Sequence, residues 1–124
     1  MMLRAVRGAI TVDENTQEDI LQGVQALLVA ILKANHISQE DVVSAIFSMT
    51  QDLNAVFPAA GARLLGWSDI PLFGCVEVDV PGSLSRCIRV LIHYETQAER
   101  SQVQHIYLRD AEALRPDLTG GEPL

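Results

Sequence analysis

The sequence has few cysteines, few basic residues and no long apolar run, and each shortage excludes a class of protein. Cys75 and Cys87 are its 2 cysteines, too few and too far apart for a disulfide framework or a paired-cysteine metal site. The 9 basic residues against 16 acidic ones give a net charge of −7. Because nucleic acids and anionic lipid surfaces both require a basic partner surface, we expect no nucleic acid and no membrane among its partners.

Targeting segments and the common catalytic motifs are missing as well. No apolar run approaches the roughly 20 residues that cross a bilayer, and the N-terminal MMLRAVRGAITV lacks the apolar core and cleavage site of a signal peptide. Together with the scarcity of cysteine, this predicts a reduced, cytoplasmic protein. There is no phosphate-binding loop, dinucleotide-binding glycine turn, HExxH helix or nucleophile elbow. The 3 histidines are scattered, and we expect no metal and no cofactor.

The residues near the N-terminus predict a strand followed by a long helix. Residues 2–12 alternate between apolar and other side chains and are rich in β-branched residues, which is typical of a strand. Thr16 and Asp19 resemble a capping box with aspartate in the acidic role. From Ile20 onward, apolar residues recur at spacings of one, three and four, which predicts an amphipathic helix that ends near Asn35.

The rest of the chain predicts further strands and one short helix. The segment DVVSAIFSMT at 41–50 is compatible with a strand or a helix, and its β-branched residues favour a strand. Pro58 begins a short helix that ends at Gly66. Further strands are predicted for the segments 71–80, 86–96 and 103–114. We therefore expect an α/β (α+β) fold in which one long and one short helix cover a mixed sheet of about five strands.

Polar residues within the predicted strands are the candidates for chemistry. Arg89 lies in the middle of the apolar run RCIRVLIHYET, where a guanidinium buried without a partner costs several kcal/mol. Either an internal carboxylate or a ligand must therefore satisfy it. Arg7, Glu77 and Tyr107 also lie within strands, and Arg115 lies beyond the last strand.

The spacing of these residues leaves two interpretations open. Glu77 and Arg89 could form an internal ion pair or lie on a solvated sheet face, Tyr107 could be a core aromatic, and Arg63 and Arg115 could be surface residues. However, three arginines against one strand carboxylate leave at least one cation without an internal partner. Guanidiniums around one tyrosine and one glutamate suit a small polyanion that also carries a hydroxyl group.

Four motifs follow one another along the chain, namely RGAITV at 7–12, DLNAVFPA at 52–59, GCVEVDVPGSLSRCIRV at 74–90 and HIYLRDAEALRPDL at 105–118. In this order they resemble the motifs of the monofunctional chorismate mutases of the trimeric, pseudo-α/β-barrel class. The resemblance runs over residues 2–118 and implies one domain at 1–118. The polar, glycine- and proline-containing end of the sequence predicts a flexible tail at 119–124. The resemblance also implies the rearrangement of chorismate to prephenate, in phenylalanine and tyrosine biosynthesis, by a homotrimer that needs no cofactor.

The resemblance implies roles for individual residues. Arg7 and Tyr107 would contact substrate carboxylates. Arg89 would contact the enol-ether oxygen and a carboxylate, and Glu77 would accept a hydrogen bond from the ring hydroxyl of the substrate. Each site would lie between subunits, with Glu77 supplied by one chain and the other three residues by its neighbour. The remaining substrate-binding positions, on the pocket wall and near the C-terminus, are Phe57, Arg63, Phe73, Gly74, Cys75, Val76, Leu114 and Arg115.

This sequence departs from the family's pattern at two positions, and two other functions are compatible with its residues. Gly74 stands where the family has a cysteine, so a contact of the backbone at this position would be kept and a contact of the side chain would be lost. Ala60 stands where a lysine can occur. A trimeric imine/enamine deaminase has a similar fold but needs only one carboxylate-binding arginine, whereas Arg7 and Arg89 provide two. A non-catalytic metabolite-binding protein with the same pocket is the second alternative.

Overall fold

The computed structural model describes residues 1–114, which form a mixed five-stranded sheet and two α-helices. The strands are β1 (Met2–Thr11), β2 (Val42–Met49), β3 (Leu72–Val76), β4 (Cys87–Thr96) and β5 (Ile106–Leu108). They lie in the order β3-β2-β4-β1-β5. β4 is antiparallel to β1 and β2, β3 is parallel to β2, and β5 is parallel to β1. The predicted α+β fold with a mixed sheet is confirmed. Arg115 and the predicted tail at 119–124 lie outside the described residues.

The long helix α1 (Gln17–Ala34) packs one side against the sheet. Its N-terminus is capped as predicted, because Thr16 Oγ1 accepts a hydrogen bond from the Asp19 N–H at 3.1 Å. The helix approaches β1 closely at Gly8, where an added Cβ would lie 2.6 Å from Ile31 Cδ1. A larger residue would force this contact apart, so Gly8 fixes the distance between helix and strand. The buried positions of α1 are Ile20, Gly23, Val24, Leu27, Leu28 and Ile31.

The short helix α2 (Ala59–Leu64) packs on α1. Pro58 is its N-cap rather than its first residue, one position from the prediction, and Gly66 follows its end with a φ of 92°. That φ is in the left-handed region that glycine adopts most readily, which explains why the helix stops there.

The strand β3 is shorter than the alternation in residues 71–80 predicts. It ends where its partner β2 ends, at Met49. The last main-chain bond runs from the Glu77 N–H to the Met49 carbonyl, at 2.8 Å. Beyond that bond the valines have no strand beside them in the described chain, and Val78 and Val80 are 76% and 54% exposed.

The strand β5 is also shorter than predicted for residues 103–114. Arg109 adopts a φ of 58°, which is incompatible with a strand, and the chain turns there into a 3₁₀ helix at Arg109–Leu114. Two hydrogen bonds to Thr11 hold this turn. Arg109 Nη1 donates to the Thr11 carbonyl, and the Asp110 N–H donates to Thr11 Oγ1, both at 3.1 Å.

Alternation along the strands gives the sheet two chemically different faces. The face toward the α-helices buries the main core, which includes Val6, Ile10, Ala45, Phe47, Ile88, Val90 and Ile92. The opposite face, here called the open face, carries Arg7, Ala9, Ile46, Ser48, Arg89, Leu91 and Tyr107. The 3₁₀ helix covers one part of it, where Ala9, Cys87, Tyr107 and Ala111 form a small second cluster. Within residues 1–114, no helix is long and apolar enough to cross a membrane.

Candidate active site

Three of the four predicted catalytic residues line one cleft on the open face. Arg7 from β1, Arg89 from β4 and Tyr107 from β5 border a cleft of about 190 Å³. The strand register explains why they meet, since Ala9 in β1 is paired with Arg89 on one side and with Tyr107 on the other. The remaining lining residues are Gly8, Ala9, Ile46, Val90 and Leu91.

Glu77, the fourth predicted residue, lies beside Arg89 in the same chain. Its Oε2 is 3.5 Å from Arg89 Nε, and both side chains are 24% exposed. Ser48 Oγ donates a hydrogen bond of 2.6 Å to the same Oε2. The expectation that Glu77 and Arg89 reach the site from different subunits is therefore wrong, because one chain brings both residues into contact.

Two buried polar atoms at the cleft have no hydrogen-bond partner among residues 1–114. They are Arg89 Nε and Tyr107 Oη. The Glu77 carboxylate lies 3.5 Å from Arg89 Nε, which is longer than a normal N–H···O bond. A buried donor without a partner costs about 1–3 kcal/mol. The ion pair with Glu77 therefore does not satisfy the hydrogen-bonding capacity of Arg89 Nε, and both atoms lack a partner among the described residues.

Two residues of the site were missed by the sequence analysis. Ser48 was missed because the segment 41–50 was compatible with a strand or a helix, so its side chains had no assigned face. As a strand, the segment pairs Ser48 with Arg89. His105 Nδ1 accepts a hydrogen bond from the Arg7 N–H at 3.0 Å. No sequence pattern indicates that a histidine side chain will accept a hydrogen bond from the main chain of a neighbouring strand, so this contact was not predictable.

The other predicted substrate-binding residues lie outside the cleft that contains Arg7. A second, apolar cleft of about 510 Å³ lies beside β3, and its lining includes Phe57, Gly74, Cys75 and Val76. Phe57 and Phe73 are 77% and 67% exposed, and Arg63 is exposed on α2. Leu114 packs against the cluster that contains Tyr107. A single chain thus separates a polar group of candidate residues from an apolar group.

The buried cysteine beside Arg89 gives a measurable prediction. Burial raises the pKa of the Cys87 thiol above its ordinary value of 9.0, and the positive charge of Arg89 offsets this only in part. We therefore expect the Cys75→Ser protein, whose remaining thiol is Cys87, not to react with DTNB at pH 8 until denaturant is added. Rapid labelling of the folded variant would contradict the burial of Cys87.

The comparisons with known proteins identify the family. The model of the family described as chorismate mutase type I matches residues 3–118. The chain belongs to the chorismate mutase type I family. Two curated relatives are both named chorismate mutase AroH. The one from Bacillus subtilis is 46% identical over 120 residues, which cover 96% of this chain and 94% of that protein. The one from Thermus thermophilus is 48% identical over 122 residues, which cover 98% of this chain and 100% of that protein.

A solved structure agrees with this family. A chorismate mutase from Clostridium thermocellum superposes with a TM-score of 0.88 at 42% identity, over 90% of this chain and 99% of that chain. The resemblance to the chorismate mutases predicted from the four sequence motifs is confirmed. Among residues 1–114, no group of three or more histidine, cysteine, aspartate or glutamate side chains is arranged to hold a metal ion.

Proposed function

We propose that this chain is a chorismate mutase that converts chorismate to prephenate in phenylalanine and tyrosine biosynthesis. The observation that carries the proposal is the cleft in which Arg89 Nε and Tyr107 Oη are buried beside Arg7, without hydrogen-bond partners among residues 1–114. Chorismate is a dianion with an ether bridge and a ring hydroxyl. Two guanidiniums, a tyrosine hydroxyl and a carboxylate match these groups, and the family membership supports the same substrate.

In the proposed mechanism the residues of the cleft position the substrate and do not exchange protons with it. The reaction is a one-step [3,3] rearrangement, in which one C–O bond breaks while one C–C bond forms, without a covalent intermediate on the protein. The enolpyruvyl arm must be held over the ring in a near-attack geometry. Arg7 and Tyr107 hold it there by binding the carboxylates.

Arg89 supplies the main electrostatic stabilisation. As the C–O bond breaks, negative charge develops on the ether oxygen, and a preorganised donor at such a position is worth about 3–4 kcal/mol. That corresponds to about two to three decades in rate. A guanidinium stays protonated at all working pH values, so its charge is always present. The Glu77 carboxylate accepts a hydrogen bond from the ring hydroxyl of the substrate. Its Oε2 lies 3.5 Å from Arg89 Nε, and its charge restrains the guanidinium.

We propose further that the active form is a homotrimer with sites between subunits. A closed ring requires that one surface of each chain pack on a different surface of the next, and this chain offers two such surfaces. One is the cleft with Arg7 and Arg89. The other, here called the β3 edge, consists of Phe57, Phe73, Val76 and Val78, each at least 67% exposed. The β3 edge of one chain would cover the cleft of its neighbour, whereas Glu77 stays with Arg89.

The proposed location and partners follow from the cysteines and the charge. Cys75 and Cys87 are free thiols, which are typical of a reducing compartment such as the cytoplasm. The net charge of −7 disfavours nucleic acid and anionic membranes. The proposed partners are therefore the substrate and further copies of this chain.

Incubation with chorismate tests the proposed function. We expect the purified protein to cause loss of the ultraviolet absorbance of chorismate, with prephenate as the product identified by NMR. Binding of chorismate in calorimetry without conversion would instead support the metabolite-binding protein. Release of ammonia from an imine or enamine substrate, with chorismate unchanged, would support the deaminase.

The pH dependence of the rate tests the proposed mechanism. Because no proton is transferred in the rearrangement, we expect kcat at saturating chorismate to be nearly constant between about pH 6 and 9. Initial rates in buffers of matched ionic strength measure it. A bell-shaped profile within this range would show that an acid or a base takes part, contrary to the proposal.

A further inference from the structure

Ser48 contacts the site through a short hydrogen bond. It lies in β2, where it is paired with Arg89 on β4 and with Cys75 on β3. Its hydroxyl donates to Glu77 Oε2 at 2.6 Å, a length typical of a charge-assisted bond between a hydroxyl and a carboxylate. One of the two carboxylate oxygens of Glu77 is therefore held by a neutral donor.

The same carboxylate oxygen faces Arg89. The distance from Arg89 Nε to Glu77 Oε2 is 3.5 Å, and Nε is buried without a hydrogen-bond partner in the described chain. A guanidinium and a carboxylate that are free to approach each other form hydrogen bonds of about 2.7–2.9 Å, often two in parallel. Glu77 and Arg89 therefore do not form such hydrogen bonds, although their side chains are close enough to do so.

We propose that Ser48 is a positioning residue that keeps the Glu77 carboxylate from closing onto Arg89. With Oε2 held by the serine hydroxyl, Oε1 stays free for the ring hydroxyl of the substrate, and the guanidinium of Arg89, whose side chain is 24% exposed, stays free for the ether oxygen. The inference rests on the proposed function, because it takes Glu77 and Arg89 as the groups that contact chorismate.

Replacement by alanine removes only the hydroxyl, so the strand pairing of β2 is kept. In Ser48→Ala we expect the carboxylate of Glu77 to form a closed ion pair with Arg89, which withdraws the guanidinium from the substrate. A crystal structure of the variant should show the distance from Arg89 Nε to the carboxylate shortened to about 2.8 Å. An unchanged distance would overturn the inference even if the activity of the variant were low.

Steady-state kinetics with chorismate provide the second measurement. We expect Ser48→Ala to lower kcat by about ten- to a hundredfold, the effect of losing one hydrogen bond to a charged group, with a smaller change in KM. Ser48→Thr keeps the hydroxyl and should stay within about threefold of the wild type. The matched control is Ser44→Ala, on the same strand and face, whose hydroxyl lies 3.4 Å from His93 Nδ1 and does not contact Glu77. Its kcat should not change.

A double-mutant cycle separates positioning from a merely structural role. In Glu77→Gln the neutral amide cannot form the ion pair, so adding Ser48→Ala should cause no further loss of kcat. Additive losses would indicate a structural effect and overturn the inference. If the wild type converts chorismate but Ser48→Ala has its full kcat, only the role of Ser48 fails. If the wild type itself does not convert chorismate, the proposed function fails.

Discussion

Replacing Arg89 by alanine is expected to lower kcat for chorismate by more than about a hundredfold without unfolding the protein. The reason is that, in the proposed mechanism, Arg89 supplies a fixed charge to the ether oxygen, whereas its internal contact with Glu77 is a long one, at 3.5 Å. Initial rates at saturating chorismate measure the first effect. Far-ultraviolet circular dichroism and the midpoint of urea unfolding measure the second.

Two variants control this experiment. Arg89→Lys keeps the charge but not the planar fork of donors, so it should recover only part of the lost activity. Arg100→Ala removes an exposed arginine from the 3₁₀ helix Arg100–Gln102 and should leave kcat unchanged. Loss of the folded state in Arg89→Ala would instead support the interpretation of Arg89 as half of a structural ion pair.

Mixing inactive Arg89→Ala chains with inactive Phe57→Asp chains is expected to restore up to about a quarter of the wild-type activity. Phe57→Asp should be inactive because, in the proposed trimer, it brings a carboxylate toward the dianionic substrate in the neighbour's cleft. In the proposed ring, a site is intact only when its cleft comes from a Phe57→Asp chain and its β3 edge comes from an Arg89→Ala chain. Random mixing of equal amounts gives that combination at about one site in four.

The matched control mixes Arg89→Ala with Glu77→Ala. Both residues belong to one chain and lie 3.5 Å apart, so every cleft in these mixtures lacks one of them and activity should not return. The formation of mixed trimers is checked by native mass spectrometry. Recovery in the control, or no recovery with Phe57→Asp in confirmed mixed trimers, would contradict the proposed division of the site between chains.

The elements that the sequence predicts well are those whose pattern is local. α1 was predictable because its apolar spacing and the cap at Thr16 lie within one segment of chain. The alternation around Arg89 likewise predicted both faces of β4, which the structure confirms. In contrast, β2 could not be assigned with certainty from its composition, since it is defined by its pairing with β3 and β4.

The ends of β3 and β5 were not predictable for a related reason. Alternation continues past Glu77, but the strand stops there because β2 has already ended at Met49. The chain leaves β5 at Arg109 because of a backbone conformation that few non-glycine residues adopt. Neither the length of a partner strand nor an unusual φ can be read from the residues themselves.

The composition of the site was predicted more fully than its geometry. Arg7, Arg89 and Tyr107 were named from the sequence and line one cleft, but which chain supplies Glu77 was predicted wrongly. Strand periodicity predicts the face of the sheet on which a side chain lies. It does not predict whether two such side chains meet within one chain or between two chains.

The two faces of β4 have a consequence for how this protein tolerates change. Ile88 and Val90 anchor the strand in the hydrophobic interior, while Arg89 between them lines the cleft on the open face. The rigidity that holds the guanidinium in place is therefore the same rigidity that keeps the protein folded. Substitutions that loosen the packing of the interior should therefore lower kcat before they unfold the protein. Substitutions that tighten this packing can raise the stability without lowering kcat.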